Sequence, residues 1–294
     1  MTNENLSGRL REGGLRTNVE WAETEMRAKD GAVLQVRVAG VVGEVRAEIL
    51  LTHGLGEHAG RYGHVARALG QRGFQVTAYD LRGHGRSSGR RGDVLRYGEL
   101  LDDLHGVRAT LGSPGAPVFL FGHSLGGQLT LRYLQRDRPE VAGAIVASPW
   151  LRLAFAPPRW TLTLARAALR WAPGWRFPTG ANLEKLTRDP AHVLALPEAH
   201  LMSHRISARM FFAVVAEGER ALAERARIGV PLLLLHGDAD PVTHWRSTEA
   251  FARECGPAET TLKIYPGVRH ETHNDLGREQ VLRDVGDWIE ARLG

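Results

Sequence analysis

The stretch VFLFGHSLGGQLTLRYL, residues 118–134, narrows the possible folds more than any other part of this 294-residue chain. Four apolar residues, Val118–Phe121, run without interruption, as a strand does when both faces of its sheet are covered. They end in Gly122-His-Ser124-Leu-Gly126, and a helical pattern over 125–136 follows with no polar linker. A strand that turns this sharply into a helix leaves little room beside the turning residue, which accounts for glycines on both sides of Ser124. Such a turn holds the hydroxyl out at the mouth of the sheet. It also sets the following backbone N–H groups at a helix N-terminus, where negative charge is stabilised.

The same alternation of short apolar runs and longer helical patterns extends along most of the chain and predicts an α/β fold, a mostly parallel sheet with helices on both faces. The strands are expected at Val33–Val38, Ile49–His53, Phe74–Tyr79, Val118–Gly122, Ala144–Ala147, Pro231–His236 and Thr261–Tyr265, and the helices near 61–71, 96–111, 125–136, 245–254 and 278–292. Between about Trp150 and Arg225 the rhythm breaks. That segment shows helical patterns without strands, six prolines and four of the seven tryptophans. It reads as a helical lid inserted between two parts of one core, 1–149 and 226–294, with residues 1–18 a polar tail.

A net charge of +5 raises the question of nucleic acid, but the 35 arginines are spread along the chain and interleaved with acids, so no nucleic-acid partner is expected. One cysteine, Cys255, excludes an internal disulfide framework. The first residues lack the apolar core of a signal peptide, and no run approaches the roughly 18 apolar residues of a membrane span. A cytoplasmic protein, at most peripheral at a membrane, is the expectation. No cofactor or metal site is read from the sequence.

A serine hydroxyl needs a base within hydrogen-bond reach, itself oriented by a third group. LLLLHGDADPV carries Asp238 and Asp240 just past an apolar strand, and LKIYPGVRHETH carries His270 and His273 past the next. The order Ser, Asp, His is the one expected after a turn of this type. The spacing Gly237-x-x-Asp240-x-Val242 favours Asp240, with Asp238 suited to capping a turn. His270 is the first histidine after Pro266-Gly267. An oxyanion on the substrate needs donors already in place. The N–H of Leu125 is one expectation, and that of Leu55, between Gly54 and Gly56 in LTHGLGEH, is the other.

With these residues assembled, HGLGEHAGRYGHVARAL, YDLRGHGRSSGRRG, FGHSLGG, LLHGDADPVT and TLKIYPGVRHETHND show that the chain resembles the monoacylglycerol lipase and lysophospholipase family of serine α/β-hydrolases, over roughly residues 25–292. The resemblance implies the α/β-hydrolase fold, Ser124, Asp240 and His270 as a catalytic triad, and Leu55 and Leu125 as oxyanion donors. It further implies Glu57, Arg61 and His273 as the lining of a polar pocket for a glycerol-like head group. The substrate implied is a single-chain lipid ester, a monoacylglycerol or lysophospholipid. A short-chain esterase, an acyl-thioesterase and a non-catalytic lipid-binding protein are the alternatives on this frame. Within the lid, Arg159–Ala172 reads as an amphipathic helix with Arg159, Arg166 and Arg170 on one stripe opposite Trp160, Leu162, Leu164, Ala165, Ala168 and Leu169. That apolar arc either packs over the core or makes transient contact with a membrane surface.

Overall fold

The protein, a computed structural model, is described over residues 20–293 apart from 181, 195 and 256–258; the expected tail at 1–18 lies outside the described residues. The strands are β1 (Trp21–Arg27), β2 (Val33–Ala39), β3 (Ala47–Thr52), β4 (Phe74–Tyr79), β5 (Val118–His123), β6 (Gly143–Ala147), β7 (Arg176–Pro178), β8 (Arg205–Ser207), β9 (Leu232–Gly237) and β10 (Thr260–Tyr265). The helices are α1 (Gly63–Gly70), α2 (Tyr97–Arg108), α3 (Leu125–Asp137), α4 (Arg159–Trp171), α5 (Leu183–Leu186), α6 (Pro190–Leu194), α7 (Ala208–Ala223), α8 (Trp245–Arg253) and α9 (Arg278–Glu290). Every strand and helix expected of the core is present, each within a few residues of its expected bounds.

Eight strands form one sheet in the order β1-β2-β4-β3-β5-β6-β9-β10. From β4 to β10 the neighbours run parallel, whereas β2 is antiparallel to both β1 and β4. Alternate residues of each central strand enter different cores. Leu50, Leu120, Val146 and Leu234 pack with α2, α3 and α7 on one face. Ile49, Leu51, Phe119, Phe121, Ile145, Leu233 and Leu235 pack with α1 and α9 on the other. Burial on both faces is why these strands read as continuous apolar runs rather than as alternating ones.

The connection from β5 to α3 is the tightest point of the fold. Ser124 has φ 54° and ψ −115°, a strained conformation for a residue with a side chain. A Cβ on Gly122 would lie 2.3 Å from the carbonyl oxygen of Gly126, and a Cβ on Gly126 would lie 2.0 Å from that of Thr52. The first turn of α3 is thereby pressed onto the end of β3, where the Leu55 loop begins.

Two features depart from expectation. Strand β1 carries no apolar run, because it is an edge strand with only Met26 buried, and its pairing with β2 rather than its own sequence defines it. The inserted segment is not free of strands. Its β7 and β8 form an antiparallel ribbon pairing Phe177 with Ile206, too short to leave a periodic signal. The helix that leads back into the core, α7, begins at Ala208, where the Ser207 hydroxyl accepts from the Met210 N–H at 3.2 Å. Its apolar side, Met210, Val214, Ala221 and Leu222, belongs to the core under the sheet.

Replacing Gly126 by Ala would place a methyl group inside contact distance of backbone that has no freedom to move. Gly126→Ala is expected to cost about 3 kcal/mol or more by urea unfolding, whereas Gly115→Ala, in an open turn at φ 77° with nothing near its Cβ, should cost about 1 kcal/mol.

Candidate active site

The sheet brings the three separated residues together at its carboxyl edge. Ser124 stands at the end of β5, Asp240 follows β9, and His270 follows β10. The His270 ring bridges the other two, with Nε2 2.9 Å from Ser124 Oγ and Nδ1 2.7 Å from Asp240 Oδ2. All three are buried. Burial disfavours charge on His270, but the Asp240 carboxylate beside it outweighs this and raises the ring above the ordinary value of 6.5.

The Asp240 carboxylate is held from several sides. Oδ1 accepts from the N–H groups of Val242 at 2.7 Å and Thr243 at 3.0 Å. Oδ2 accepts from His270, from the Thr243 hydroxyl at 2.7 Å, and from His236 Nε2 at 3.0 Å. Burial pushes this carboxyl up, but the facing His270 charge and the donors from His236 and His270 hold it well below the usual carboxylate range. Asp240 is therefore held as the anion near neutral pH. Asp238 is exposed and accepts from the Gly267 N–H at 2.6 Å, closing the Pro266-Gly267 turn. His236 and Thr243 were not singled out from the sequence, although both lie in the LLHGDADPVT stretch.

The loop after β3 lies against Ser124: a Cβ on Gly54 would sit 3.1 Å from the Ser124 Cβ. Leu125 opens α3, so its N–H has no acceptor within the helix. Glu57 holds the turn through Oε1, which accepts from the Gly54 N–H at 2.7 Å and the Tyr62 hydroxyl at 2.8 Å. Arg61 bridges Glu57 Oε2 at 2.5 Å and both carboxylate oxygens of Glu271 at 2.8 Å, and Glu271 is the residue directly after His270. The loop facing the serine and the loop bearing the histidine are thus tied by one buried carboxylate–guanidinium–carboxylate bridge. Burial pushes both carboxyls up, and the Arg61 charge reverses this and holds each below the ordinary range. Asp80 braces the same loop, accepting from the Ala59 N–H at 2.8 Å and the Arg86 N–H at 2.7 Å. This explains why the stretch beginning YDLRGHGRS accompanies HGLGEH.

A cavity of about 570 Å³ opens above Ser124. Its wall is apolar, built from Trp150, Leu162 and Phe177 together with Met202, Ile206 and Phe211, and one end is polar, with Glu57, Arg61, His123 and Glu271. Two of the three residues implied as head-group contacts, Glu57 and Arg61, therefore line it. His273 does not. It is fully buried behind the site, stacked on Tyr62 at 4.8 Å and edge-on to His123 at 4.7 Å. Burial and the neighbouring His123 hold its ring well below 6.5, so it is a neutral packing group. Arg61 has both terminal nitrogens engaged by carboxylates, and a large part of its role is to join the two loops.

Removing the guanidinium leaves two carboxylates facing each other without a counter-charge. Arg61→Leu is expected to lose about 3–5 kcal/mol of stability near pH 7. In the wild type Glu57 and Glu271 are depressed, so their contribution is present above the ordinary carboxylate range and is lost only as pH falls through their lowered values. In the variant, burial without Arg61 raises both groups. The deficit measured by denaturant unfolding should therefore shrink between pH 7 and pH 5, and a deficit constant over that window contradicts the bridge.

The chain is similar to known proteins over most of its length. A family described as "Serine aminopeptidase, S33" matches residues 43–277. The chain is 31% identical over 253 residues to a monoacylglycerol lipase of Mycolicibacterium smegmatis, covering 84% of this chain and 89% of that protein. It is also 31% identical over 249 residues to an uncharacterized abhydrolase domain-containing protein of Dictyostelium discoideum, covering 84% of this chain but only 26% of that longer protein. Among solved structures, the monoacylglycerol lipase of Paleococcus ferrophilus superposes with a TM-score of 0.79 at 31% identity, over 93% of this chain and 99% of that one. The strand order, the strained serine turn and these matches together make the chain a member of the monoacylglycerol lipase family of serine α/β-hydrolases.

Proposed function

We propose that the protein hydrolyses monoacylglycerols through an acyl-enzyme on Ser124. The observation that carries this reading is the continuous Ser124–His270–Asp240 hydrogen-bond chain on the floor of a cavity that is apolar along its wall and polar at one end. Ser124 Oγ attacks the ester carbonyl carbon while its proton passes to His270 Nε2. Asp240, fixed as an anion, holds the Nδ1–H tautomer and stabilises the imidazolium. The N–H groups of Leu55 and Leu125 receive the oxyanion. Collapse of that intermediate breaks the ester C–O bond, and His270 returns the proton to the departing glycerol oxygen. Water then attacks the acyl-enzyme with His270 again as base, and the fatty acid leaves. The apolar wall suits a single acyl chain, and the polar end suits a glycerol rather than a simple alkyl group.

Ser124→Ala should reduce hydrolysis of a monoacylglycerol to background with an unchanged unfolding transition, and residual turnover near wild type contradicts the assignment. Asp240→Asn should lower kcat by about 10⁴-fold, and Asp238→Asn by less than about twofold. Because His270 must be neutral to take the serine proton, kcat/KM should fall on the acid side with a midpoint above the ordinary 6.5 of a histidine. A midpoint clearly below that value contradicts the Asp240–His270 contact.

A second feature concerns how such a substrate arrives. On α4, Thr161, Leu162 and Ala165 line the cavity, whereas Trp160, Leu164 and Trp171 lie on an outer stripe and are 68%, 52% and 81% exposed. Arg159, Arg166 and Arg170 lie on the same helix, Arg170 with its guanidinium 5.1 Å from the Trp171 ring, and none of the three makes an ion pair among the described residues. No helix of the described residues is long and apolar enough to cross a membrane. An exposed Trp/Leu stripe beside unpaired arginines suits shallow docking on an anionic lipid surface. The pair Trp160→Ser and Trp171→Ser should weaken co-sedimentation with phosphatidylglycerol vesicles several-fold while sparing hydrolysis of a water-soluble acetate ester. Equal sedimentation of variant and wild type contradicts the docking.

A further inference from the structure

The β7–β8 ribbon has two faces of different chemistry. Phe177 and Ile206 are paired across it, and both line the cavity above Ser124. Side chains alternate along a strand, so their neighbours Arg176 and Arg205 are turned to the other side. There they meet Arg90 around a second, open cavity of about 520 Å³, lined also by the turn at 172–175. Backbone contacts fix this arrangement. The Ser207 N–H donates to the Gly92 carbonyl at 2.8 Å, and a Cβ on Gly92 would lie 1.9 Å from the Arg205 carbonyl oxygen, so the ribbon rests directly on the loop that carries Arg90. Arg176 Nη1 donates to the Arg91 carbonyl at 3.0 Å, and Arg205 Nη2 donates to the Arg176 carbonyl at 2.8 Å. Arg90 Nη1 lies against the turn, 3.0 Å from where a Cβ on Gly174 would stand.

These guanidinium groups face no uncommitted carboxylate. Arg176 and Arg205 make no ion pair among the described residues. The carboxylate beside Arg90 is that of buried Asp93, and Arg209 engages both its oxygens, at 2.7 and 2.5 Å, leaving Arg90 3.9 Å away. Next in the chain, Arg91 keeps Nη1 buried without a hydrogen-bond partner. Like charges gathered in this way repel, and an anion among them removes the repulsion. A guanidinium has five N–H donors, and Arg176 and Arg205 each place one on a backbone carbonyl. The planar fork that remains meets two oxygens of a phosphate at once. The aromatic rim indicates which kind of phosphate. Trp175 lines the cavity and is 63% exposed, and Trp171, one residue before Ala172, belongs to the exposed stripe of α4. Indole rings left in water beside an anion site suit the boundary between head groups and acyl chains. A choline head group would bring a cation toward three others, so the charge favours an anionic lipid.

We propose that Arg90, Arg176 and Arg205 form a binding site for the phosphodiester of an anionic phospholipid, which seats the lid on the bilayer that holds the substrate. The proposal rests on the docking read from α4 and adds to it a site of defined geometry on different residues. Bound lipid would then occupy one face of the ribbon and substrate the other.

Co-sedimentation with vesicles of one-third phosphatidylglycerol in phosphatidylcholine tests the site. Arg176→Gln with Arg205→Gln should weaken binding about tenfold or more. Arg176→Lys with Arg205→Lys, which keeps the charge but not the fork, should still weaken it at least about threefold. Hydrolysis of a water-soluble acetate ester should stay within about twofold of wild type in both. Binding equal to wild type in either pair overturns the proposal. If loss of the backbone bonds unsettles the ribbon and the ester activity falls with it, Arg90→Gln decides, because that guanidinium donates to no backbone carbonyl among the described residues. Several-fold weaker binding then supports the site, and unchanged binding refutes it. Titration of the wild type with inorganic phosphate, read by tryptophan fluorescence, separates a lipid from a free ion. Saturation below about 1 mM that is lost in the glutamine pair makes this a site for soluble phosphate and overturns the lipid assignment, whereas no saturation in that range supports it. The Trp160→Ser and Trp171→Ser pair, run alongside, keeps the two readings apart. If it weakens sedimentation and the glutamine pair does not, only the arginine site fails. If neither does, the docking itself fails.

Discussion

Gly126 meets the carbonyl of Thr52 across a gap that admits a hydrogen and nothing larger, and the geometry of the site depends on that contact. It lets the start of α3 press against the end of β3. The strained serine on one strand and the Leu55 loop on its neighbour consequently stand face to face. The strain at Ser124, of order 1–3 kcal/mol, is held in place by backbone: the serine N–H donates to the Ala147 carbonyl at 2.9 Å, and its own carbonyl accepts from the N–H groups of Gln128 and Trp150 at 3.0 Å. A parallel sheet supplies this framework because adjacent strands all deliver their carboxyl ends to one edge.

Around that edge the protein places charge where water does not reach, and each charge has its partner. Asp240 is an anion because two backbone N–H groups, a hydroxyl and two histidines face it. Glu57 and Glu271 are anions because Arg61 lies between them. The arrangement differs in purpose from a surface ion pair: it joins segments more than 200 residues apart in the chain, tying the loop before α1 to the loop after β10. Buried pairs of this kind contribute little net stability compared with apolar packing, but they fix which rotamer and which tautomer each group adopts. Several histidines nearby, His53, His123, His236 and His273, are held neutral by burial, with His123 pushed down to about 4. His270 is drawn upward instead: its burial is outweighed by the charge of Asp240 and the hydrogen bond to it, with the carboxylates of Glu271 and Glu57 adding to the effect.

The sequence made the sheet legible because each core strand is an apolar run of its own and each helix repeats at its own period. It did so for Ser124, Asp240 and His270 because each falls just past a strand, in a position that turn chemistry marks. Strand β1 escaped notice because an edge strand with one buried side chain has no pattern to show, and the β7–β8 ribbon did so because three residues are less than one period of anything. Glu271, Asp80, His236 and Thr243 were illegible for a different reason. A carboxylate, an imidazole or a hydroxyl acquires its role from what folds against it, and Glu271 meets Arg61 across 210 positions. His273 illustrates the converse. The family resemblance implies a contact with substrate, but packing against Tyr62 and His123 turns it into the rear wall.

The most direct measurement is the site of covalent capture. A fluorophosphonate ester presents a tetrahedral phosphorus to whichever hydroxyl is activated, and peptide mass mapping locates the adduct. A single adduct on the peptide containing Ser124, formed rapidly in the wild type and at least about 10³-fold more slowly in His270→Gln, is the predicted result. No adduct, or one on a different residue at a rate indifferent to His270, would show that the hydrogen-bond chain from Asp240 to Ser124 does not activate the serine.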